Sequence, residues 1–250
     1  MGCKKNSFNI DNNNMECSFR DNGELRYLLR SVEKYAPWIH MIYLVMDSEQ
    51  PDWLRADNEK LQIIRHEEIM PKELLPCYNS NVIGFHLDNI PGLSEVFIYA
   101  NDDMFFSRRV SKDFFEKDGK PVIRMVKDQR KATDYFKKVI KNARDMIKKK
   151  CGEEYSLYPS HCIDAYSKEQ MKKCKELFAS ELSAFFKNRM RAENDVHRIL
   201  FHYYCIYNNT CVLNEYETPS SLPAHFIAVA KKSSFPQDIW ILRWVKWMFF

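Results

Sequence analysis

The chain has 250 residues, a formal net charge of +4 and 45% hydrophobic residues. A chain of this length can bury a substantial core as one large domain or two small ones. The charge is too small for the whole chain to be a nucleic-acid binder, so any positive patch must be local. Eight cysteines lie far apart, without a Cys-x-x-Cys pair, which indicates neither a zinc site nor a disulfide framework and favours a reducing compartment.

The first 18 residues contain three consecutive asparagines and no apolar periodicity, so we predict a disordered leader over 1–18. No apolar segment of a signal peptide follows Met1. These features predict a cytoplasmic protein.

Helical and strand patterns alternate over 19–126. Asp21-Asn22-Gly23-Glu24 resembles a capping box that opens a helix, and Pro37 marks the end of that helix. Apolar segments at 41–46, 61–64 and 96–100 predict short strands. The alternation predicts an α/β core with a mainly parallel sheet.

Two adjacent carboxylates follow the third predicted strand, in Asn101-Asp102-Asp103. Open α/β sheets bind ligands at the carboxyl edge of their strands. Two hard oxygen donors at such an edge suit Mg²⁺ or Mn²⁺ holding a diphosphate. A turn that merely closes the strand is the alternative interpretation.

The rest of the chain, 127–250, is predicted to be a helical part. Over 127–150, ten Lys or Arg stand against three Asp, with apolar residues at helical spacing. Such a helix is typical of a solvated surface face, or of attraction to anionic lipid or a polyanionic acceptor. The second interpretation would give the protein a peripheral contact with the inner face of the membrane. Further helices are predicted from Ser167 and around Val196.

Four groups of polar residues fall at the ends of the predicted elements. They are Arg20-Asp21 with Glu24 and Arg26; Asn101-Asp102-Asp103; His161 with Asp164; and Arg189, Arg191, Asn194 and Asp195. Cationic groups, carboxylates and an imidazole are the inventory for handling a metal-bound diphosphate. Each group also has a structural interpretation, such as helix capping by Asp21 or a helix start at Asn194 and Asp195.

Longer motifs carry a resemblance to a known family. They are Arg20-Asp21-Asn22-Gly23-Glu24-Leu25-Arg26-Tyr27-Leu28-Leu29-Arg30-Ser31, Glu33-Lys34-Tyr35-Ala36-Pro37-Trp38, Pro91-Gly92-Leu93-Ser94-Glu95 and Ile98-Tyr99-Ala100-Asn101-Asp102-Asp103-Met104-Phe105. Residues 19–115 resemble the second conserved region of the Stealth proteins, which are sugar-1-phosphate transferases that include capsular-polysaccharide phosphotransferases and the lysosomal-enzyme N-acetylglucosamine-1-phosphotransferase. Residues 160–164 are similar to the family's third region and residues 189–196 to its fourth.

The resemblance implies a glycosyltransferase-A (Rossmann-like) fold with additional C-terminal helices, and a divalent metal, Mg²⁺ or Mn²⁺. It also implies transfer of a sugar 1-phosphate from a UDP-sugar, with UDP-N-acetylhexosamine the expected donor. The acceptor would be a hydroxyl of a glycan or polysaccharide, and UMP would be released in capsule or exopolysaccharide synthesis.

Site residues are carried over by position. Active-site positions of the family match Asp21, His161, Arg191 and Asp195, and the family's acidic strand end matches Asn101, Asp102 and Asp103. We assign cofactor binding to Arg20, Arg189 and Asn194 beside them. Asp102 and Asp103 would hold the metal, and the arginines would hold phosphate oxygens. The general base would be His161 or Asp21. If this assignment holds, His161 and Arg191 fold back beside Asp21.

Two departures from the family pattern keep other functions open. Nothing over 1–19 resembles the family's opening strand, approximately Tyr-Thr-Trp-Val-Asp-Gly-Ser-Asp, and Gly84 stands where the family usually has Glu. The alternatives are an ordinary UDP-sugar glycosyltransferase, which releases UDP, and a truncated, non-catalytic nucleotide-sugar-binding remnant.

Overall fold

The computed structural model describes residues 23–55, 57–127, 134–160, 162–216 and 239–240, which form a mixed α/β fold. The helices are α1 (Glu24–Tyr35), α2 (His66–Ile69), α3 (Ser80–Gly84), α4 (Asp134–Cys151), α5 (Lys168–Leu177), α6 (Ala179–Phe185) and α7 (Ile199–Tyr207). The strands are β1 (Ile42–Val45), β2 (Leu61–Ile64), β3 (Val96–Tyr99), β4 (Phe105–Phe106), β5 (Glu116–Lys117), β6 (Lys120–Val126), β7 (Tyr158–Pro159), β8 (Asp164–Ser167), β9 (Val212–Tyr216) and β10 (Ile239–Trp240).

The strands form several small sheets of mixed direction. β1 pairs with β2 in parallel, and β6 pairs with β9 in parallel. β3 instead pairs antiparallel with β8, and β6 also pairs antiparallel with β5 and β7. The mainly parallel sheet predicted around the strand at 96–100 is therefore only partly present. An apolar run indicates a buried strand, but the direction of its partner is set by a distant segment.

Helix α1 is amphipathic and buries Leu25, Leu28 and Ser31 against the segment after β3. The Ser31 hydroxyl accepts a hydrogen bond from the Phe106 backbone N–H at 3.0 Å and donates to the Leu28 carbonyl at 2.7 Å. The N-cap residue is Gly23, with φ at 81° and no side-chain cap. The helix therefore begins from a left-handed backbone, which glycine adopts without a Cβ clash. The capping box from Asp21 stays a prediction. Asp21 lies outside the described residues.

The two halves of the chain share their sheets and their core. β8 and β9, from the second half, pair with β3 and β6 of the first. The apolar face of α4 is fully buried through Val139, Ile140, Ala143 and Ile147. Among the described residues, no helix combines the length and apolar character needed to cross a bilayer.

The basic helix predicted over 127–150 is α4, and several of its lysines contact acids. Lys148 lies 2.8 Å from Glu154 and Lys150 lies 3.2 Å from Glu181, while Lys141 pairs with Asp145 one turn along the helix. Such pairs are typical of a solvated surface face. Membrane contact stays a prediction.

His202 on α7 lies fully buried behind β8. Its Nε2 lies 3.2 Å from the Ala165 carbonyl oxygen, and its ring stacks on Tyr166 at 4.5 Å between centroids. Burial lowers the pKa of His202 to about 4, from an ordinary value of 6.5. The imidazole is therefore neutral in the folded protein at neutral pH.

We predict that His202 makes stability depend on pH. Between the folded and unfolded pKa values the unfolded chain binds more protons, so the free energy of unfolding falls as the pH is lowered through that window. The loss from this residue should be about 2 kcal/mol between pH 7 and pH 5, measured by urea unfolding. His202→Gln should show a shallower decrease, whereas the exposed control His40→Gln should follow the parent. Equal slopes for the parent and His202→Gln would contradict the prediction.

Candidate active site

The acidic turn, defined as Asn101-Asp102-Asp103, leaves the end of β3 and is fixed on both sides. The Tyr99 hydroxyl donates a hydrogen bond to Asn101 Oδ1 at 2.6 Å. The Met104 N–H donates to the Asn101 carbonyl at 3.2 Å, and the Met104 side chain is 1% exposed. The turn is thus held between a strand and a buried methionine, so the two carboxylates are presented from a rigid support.

The carboxylate of Asp102 is strongly desolvated. Burial raises the pKa of Asp102 to about 7, and the negative charges of Asp103 and, more weakly, Glu24 add to this shift. Its Oδ2 atom is buried and has no hydrogen-bond partner in the described part of the chain. A cation at this position would satisfy that oxygen and offset the repulsion between the carboxylates.

The acidic turn can supply only some of the ligands that a metal ion needs. Within the described ranges, no group of three or more His, Cys, Asp or Glu side chains is arranged to hold a metal ion. The acidic turn offers two carboxylates. Mg²⁺ commonly binds through one or two carboxylates and takes its other ligands from phosphate oxygens and water. The chemistry of the turn therefore suits Mg²⁺ arriving with a phosphorylated ligand.

The predicted third region lies beside the acidic turn because β8 begins at Asp164, directly opposite Tyr99. Asp164 is 4% exposed, and the Cys162 thiol donates to its Oδ1 at 3.3 Å. Burial, reinforced by Asp164, raises the pKa of Cys162 to about 12, so the thiol stays protonated and acts as a donor. His161 lies outside the described residues.

A buried arginine holds this segment in place. Arg124 on β6 is 1% exposed, and it donates to the Phe114 carbonyl at 2.9 Å and to the Ile163 carbonyl. Its guanidinium carbon also lies over the Phe114 ring at 4.4 Å. The backbone just before β8 is therefore tied to the core of the protein.

The fourth region is a loop rather than a helix start, because α7 begins only at Ile199. The interpretation of Asn194 and Asp195 as helix N-terminal residues is therefore wrong. Asp195 is fully buried, and its Oδ2 accepts hydrogen bonds from Asn79 Nδ2 at 2.9 Å and from the Ala192 N–H at 3.2 Å. The Tyr135 hydroxyl also donates to this oxygen. Asp195 is therefore held in place by this network of hydrogen bonds and not by a helix.

Asn79 joins the second region to the fourth. Its side-chain amide donates to the Met190 carbonyl at 3.1 Å as well as to Asp195, and the Tyr78 N–H donates to the Arg189 carbonyl at 2.8 Å. Asn188 Nδ2 completes the set with bonds to Asp195 Oδ1 at 2.8 Å and Asn194 Oδ1 at 2.9 Å. The loop over 188–195 is thereby fixed in one conformation.

Two arginines project from this fixed loop. The Arg191 guanidinium lies over the Tyr135 ring at 5.6 Å, and its Nε is buried without a hydrogen-bond partner in the residues that the structure describes. Arg189 is exposed and donates to the Glu73 carbonyl at 3.4 Å. Arg191 is the better placed of the two to bind an anion, since a buried guanidinium nitrogen without a partner gains a hydrogen bond from it.

Arg198, two residues beyond the fourth region, contacts the tyrosines next to the acidic turn, and the sequence interpretation missed it. Its Nε donates to the Tyr166 hydroxyl at 2.9 Å, and its guanidinium carbon lies 4.2 Å from the centre of the Tyr99 ring. Tyr99 in turn holds Asn101. The signal in the sequence was a single cation inside an apolar stripe, between Val196 and Ile199.

The structure brings one other polar group beside the acidic turn, because Asp164 of the third region lies opposite Tyr99. Arg198, three residues after Asp195, also packs on Tyr99. Of the first group, Arg20 and Asp21 lie outside the described residues. The convergence of His161 and Arg191 beside Asp21 stays a prediction.

Comparison with known proteins identifies the second of these regions. A family model described as Stealth protein CR2, conserved region 2, matches residues 18–123. Capsular polysaccharide phosphotransferase fcs1 of Haemophilus influenzae is 33% identical over 192 residues, covering 73% of this chain and 53% of that protein. Capsular polysaccharide phosphotransferase LcbA of Aeromonas hydrophila is 34% identical over 195 residues, covering 73% of this chain and 52% of that protein.

A shorter and stronger similarity is to exopolysaccharide phosphotransferase cps2G of Lactiplantibacillus plantarum. That protein is 52% identical over 104 residues, which cover 41% of this chain and 31% of the relative. The chain therefore spans from about a third to about half of the length of these relatives.

We predict that Asp195 acts mainly by holding the loop. Asp195→Asn places an amide where Asn79, Asn188 and Ala192 all donate, so the free energy of unfolding should fall by about 2–4 kcal/mol. Urea unfolding and the melting temperature measure this loss. The control Glu193→Gln, an exposed residue of the same loop, should leave stability unchanged. Unchanged stability in Asp195→Asn together with lost activity would instead indicate a direct chemical role.

Proposed function

Because the chain belongs to the Stealth family, we propose that it transfers a sugar 1-phosphate from a UDP-sugar, with UDP-N-acetylhexosamine the expected donor, to a hydroxyl of a glycan or polysaccharide acceptor. The reaction would release UMP and serve capsule or exopolysaccharide synthesis. Relatives named as capsular and exopolysaccharide phosphotransferases support this reaction class. The observation that carries the proposal is the desolvated acidic turn, which follows Tyr99, with Asp164 opposite that tyrosine and Arg198 packed on it.

Asp102 and Asp103 would hold Mg²⁺ or Mn²⁺, with Asn101 fixing their orientation. The buried Oδ2 of Asp102, which has no hydrogen-bond partner among the described residues, supports this assignment. When bound, the ion supplies charge neutralisation for the donor diphosphate. Tyr99 keeps Asn101 in position through its hydroxyl hydrogen bond.

Arg191 would hold an oxygen of the phosphate that is transferred, and Arg189 and Arg20 would assist on the donor side. As the acceptor hydroxyl forms its bond to phosphorus and the bond to UMP breaks, negative charge lies on the phosphoryl oxygens. A guanidinium fork stabilises that charge through paired hydrogen bonds. The Asp195 network supports this role because it fixes the loop that carries Arg191. His161 or Asp21 would accept the proton of the hydroxyl.

A glycosyltransferase-A fold and a cytoplasmic location at the inner face of the membrane belong to the same proposal. The parallel β1 and β2 pair supports the first. The free thiols of the described cysteines suit the reducing compartment of the second.

The product nucleotide tests the reaction. The full-length protein, with UDP-N-acetylglucosamine, Mg²⁺ and a polysaccharide acceptor, should release UMP, identified by mass spectrometry. UDP would indicate an ordinary glycosyltransferase and overturn the proposal. Donor binding without release of either nucleotide would indicate a non-catalytic protein.

We predict that Asp102→Asn weakens Mn²⁺ binding without destabilising the metal-free protein. Removing one of two carboxylate ligands should lower Mn²⁺ affinity at least about tenfold, measured by calorimetry. The melting temperature without metal should stay the same or rise, because the repulsion of Asp103 is relieved. The exposed control Asp113→Asn should bind as the parent does. Unchanged Mn²⁺ affinity in Asp102→Asn would remove the metal from the acidic turn.

We predict that Arg191→Lys loses turnover but little stability. A lysine keeps the charge but cannot form the paired contact, so the rate should fall by about 10²–10³-fold. Single-turnover assays and melting curves measure the two effects. Arg189→Lys, on the exposed side of the loop, serves as the control and should lose much less. Full activity in Arg191→Lys, or inactivity with unfolding, would contradict the assignment.

A further inference from the structure

A second set of functional side chains lies at the carboxyl edge of β1 and β2. These strands are parallel and in register, with Val45 opposite Ile64, so the chain leaves both at the same edge. The β1–β2 loop, defined as residues 46–54, follows the first strand, and Arg65 and His66 follow the second. Ligands of α/β sheets bind outside such an edge.

His66 and Asp47 face each other at this edge without forming a hydrogen bond. His66 is 6% exposed, and its Nδ1 atom is buried with no partner in the described ranges. This atom lies 3.8 Å from Asp47 Oδ2, and the Asp47 side chain is 41% exposed. A small rotation of Asp47 would let Nδ1–H donate to one carboxylate oxygen and leave the other oxygen towards solvent.

The protonation state of His66 suits that role. Burial lowers the pKa of His66, while the charge of Asp47 opposes this shift. At neutral pH the ring is therefore neutral and carries one proton, which Nδ1 can donate to a carboxylate.

The β1–β2 loop is ordered by its own hydrogen bonds. Arg65 donates to the Ser48 carbonyl, the Met46 N–H donates to the Ile64 carbonyl at 3.0 Å, and Gln50 Nε2 donates to the Leu54 carbonyl at 2.6 Å. A loop that is already ordered loses little conformational entropy when a ligand binds. Asp47 therefore lies on a loop that is already ordered before a ligand binds.

Helix α1 connects this loop to the acidic turn. The Arg26 guanidinium lies over the Trp53 ring at 4.7 Å, which packs the loop on α1. Two residues earlier on the same helix, Glu24 is close enough to raise the pKa of Asp102. One elongated ligand could therefore contact Asp47 at one end and the acidic turn at the other, across the first turn of α1.

The charge of Asp47 selects which end of such a ligand it contacts. A carboxylate repels phosphate and accepts hydrogen bonds only from O–H or N–H groups. In a UDP-sugar these groups lie in the sugar and in the nucleoside. The sugar is joined to the phosphorus that reacts, which the proposed function places at the acidic turn. The nucleoside is left for the β1–β2 edge.

We propose that Asp47, positioned by His66, binds the nucleoside of the donor by accepting a hydrogen bond from a ribose hydroxyl or from the uracil imide N–H. This inference rests on the proposed function in taking the donor to be a UDP-sugar. Neither the metal nor the acidic turn is needed for this contact. It can therefore be measured with a mononucleotide alone.

The test is calorimetric titration of UMP without divalent metal. Asp47→Asn should weaken UMP binding by about 10- to 100-fold, since one charged hydrogen bond is lost. The control Asp52→Asn changes an exposed carboxylate of the same loop and should bind as the parent does. Melting temperatures should stay level in both variants. Equal UMP affinity in Asp47→Asn and the parent, or no UMP binding by the parent, overturns the proposal.

Ligand analogues identify the contact. If the Asp47→Asn penalty disappears with 2′-deoxy-UMP, the ribose 2′-hydroxyl is the donor; if it disappears with CMP, the imide N–H is. N-acetylglucosamine 1-phosphate has no nucleoside and should bind Asp47→Asn and the parent alike. If Asp47→Asn binds this sugar phosphate more weakly than the parent does but binds UMP equally well, the proposal of a nucleoside site is overturned.

Variants of His66 test its positioning role. His66→Asn keeps an N–H near the position of Nδ1 and should retain UMP affinity. His66→Phe removes that N–H and should lose most of the UMP affinity that Asp47→Asn loses. If His66→Phe binds UMP as the parent does while remaining folded, His66 does not position Asp47. Release of UDP instead of UMP in the turnover assay would overturn phosphotransfer alone and would leave the UMP titrations interpretable.

Discussion

The antiparallel pairing of β3 with β8 fixes where the acidic groups meet. In this pair Tyr99 lies opposite Asp164, and the acidic turn begins two residues after Tyr99. A slip of one residue would turn every side chain of β8 to the opposite face. Tyr166 would then no longer accept the hydrogen bond of Arg198, and Asp164 would no longer lie opposite Tyr99. The register of one short strand pair therefore determines the geometry of three chain segments.

Buried polar groups, more than regular elements, hold the loops of the site. A charge in an apolar core is expensive unless it is paired or hydrogen-bonded. Arg124 donates to two backbone carbonyls and lies over the faces of Phe114 and Phe115, and Asp195 accepts from several amide and hydroxyl donors. Because each network has few alternative arrangements, the loops are ordered before any ligand arrives. Such preorganisation is what a phosphate site requires.

Local pattern in the sequence was sufficient to predict the strand at 96–100, its acidic turn and the helix that became α4. These features depend on apolar spacing and on the residues immediately next to them. The direction of the β3 partner and the hydrogen bonds of Asn79 and Arg198 depend on segments far away in the chain. A lone asparagine or arginine carries no signal of its distant partner. The same reason explains why Asp47 and His66 did not stand out in the sequence, although each directly follows or flanks a predicted strand.

The strand pairs also set the order in which the protein can form during synthesis. Residues 18–123, which match the family model, contain β3 and most of β6, whose partners β8 and β9 come much later in the chain. A ribosome delivers the chain from its N-terminus, and long-range pairing must wait for the distant strand. Until 164–216 have emerged, the nascent chain exposes unpaired strand edges of the kind that chaperones cover. The acidic turn is thus translated early but acquires its neighbours late.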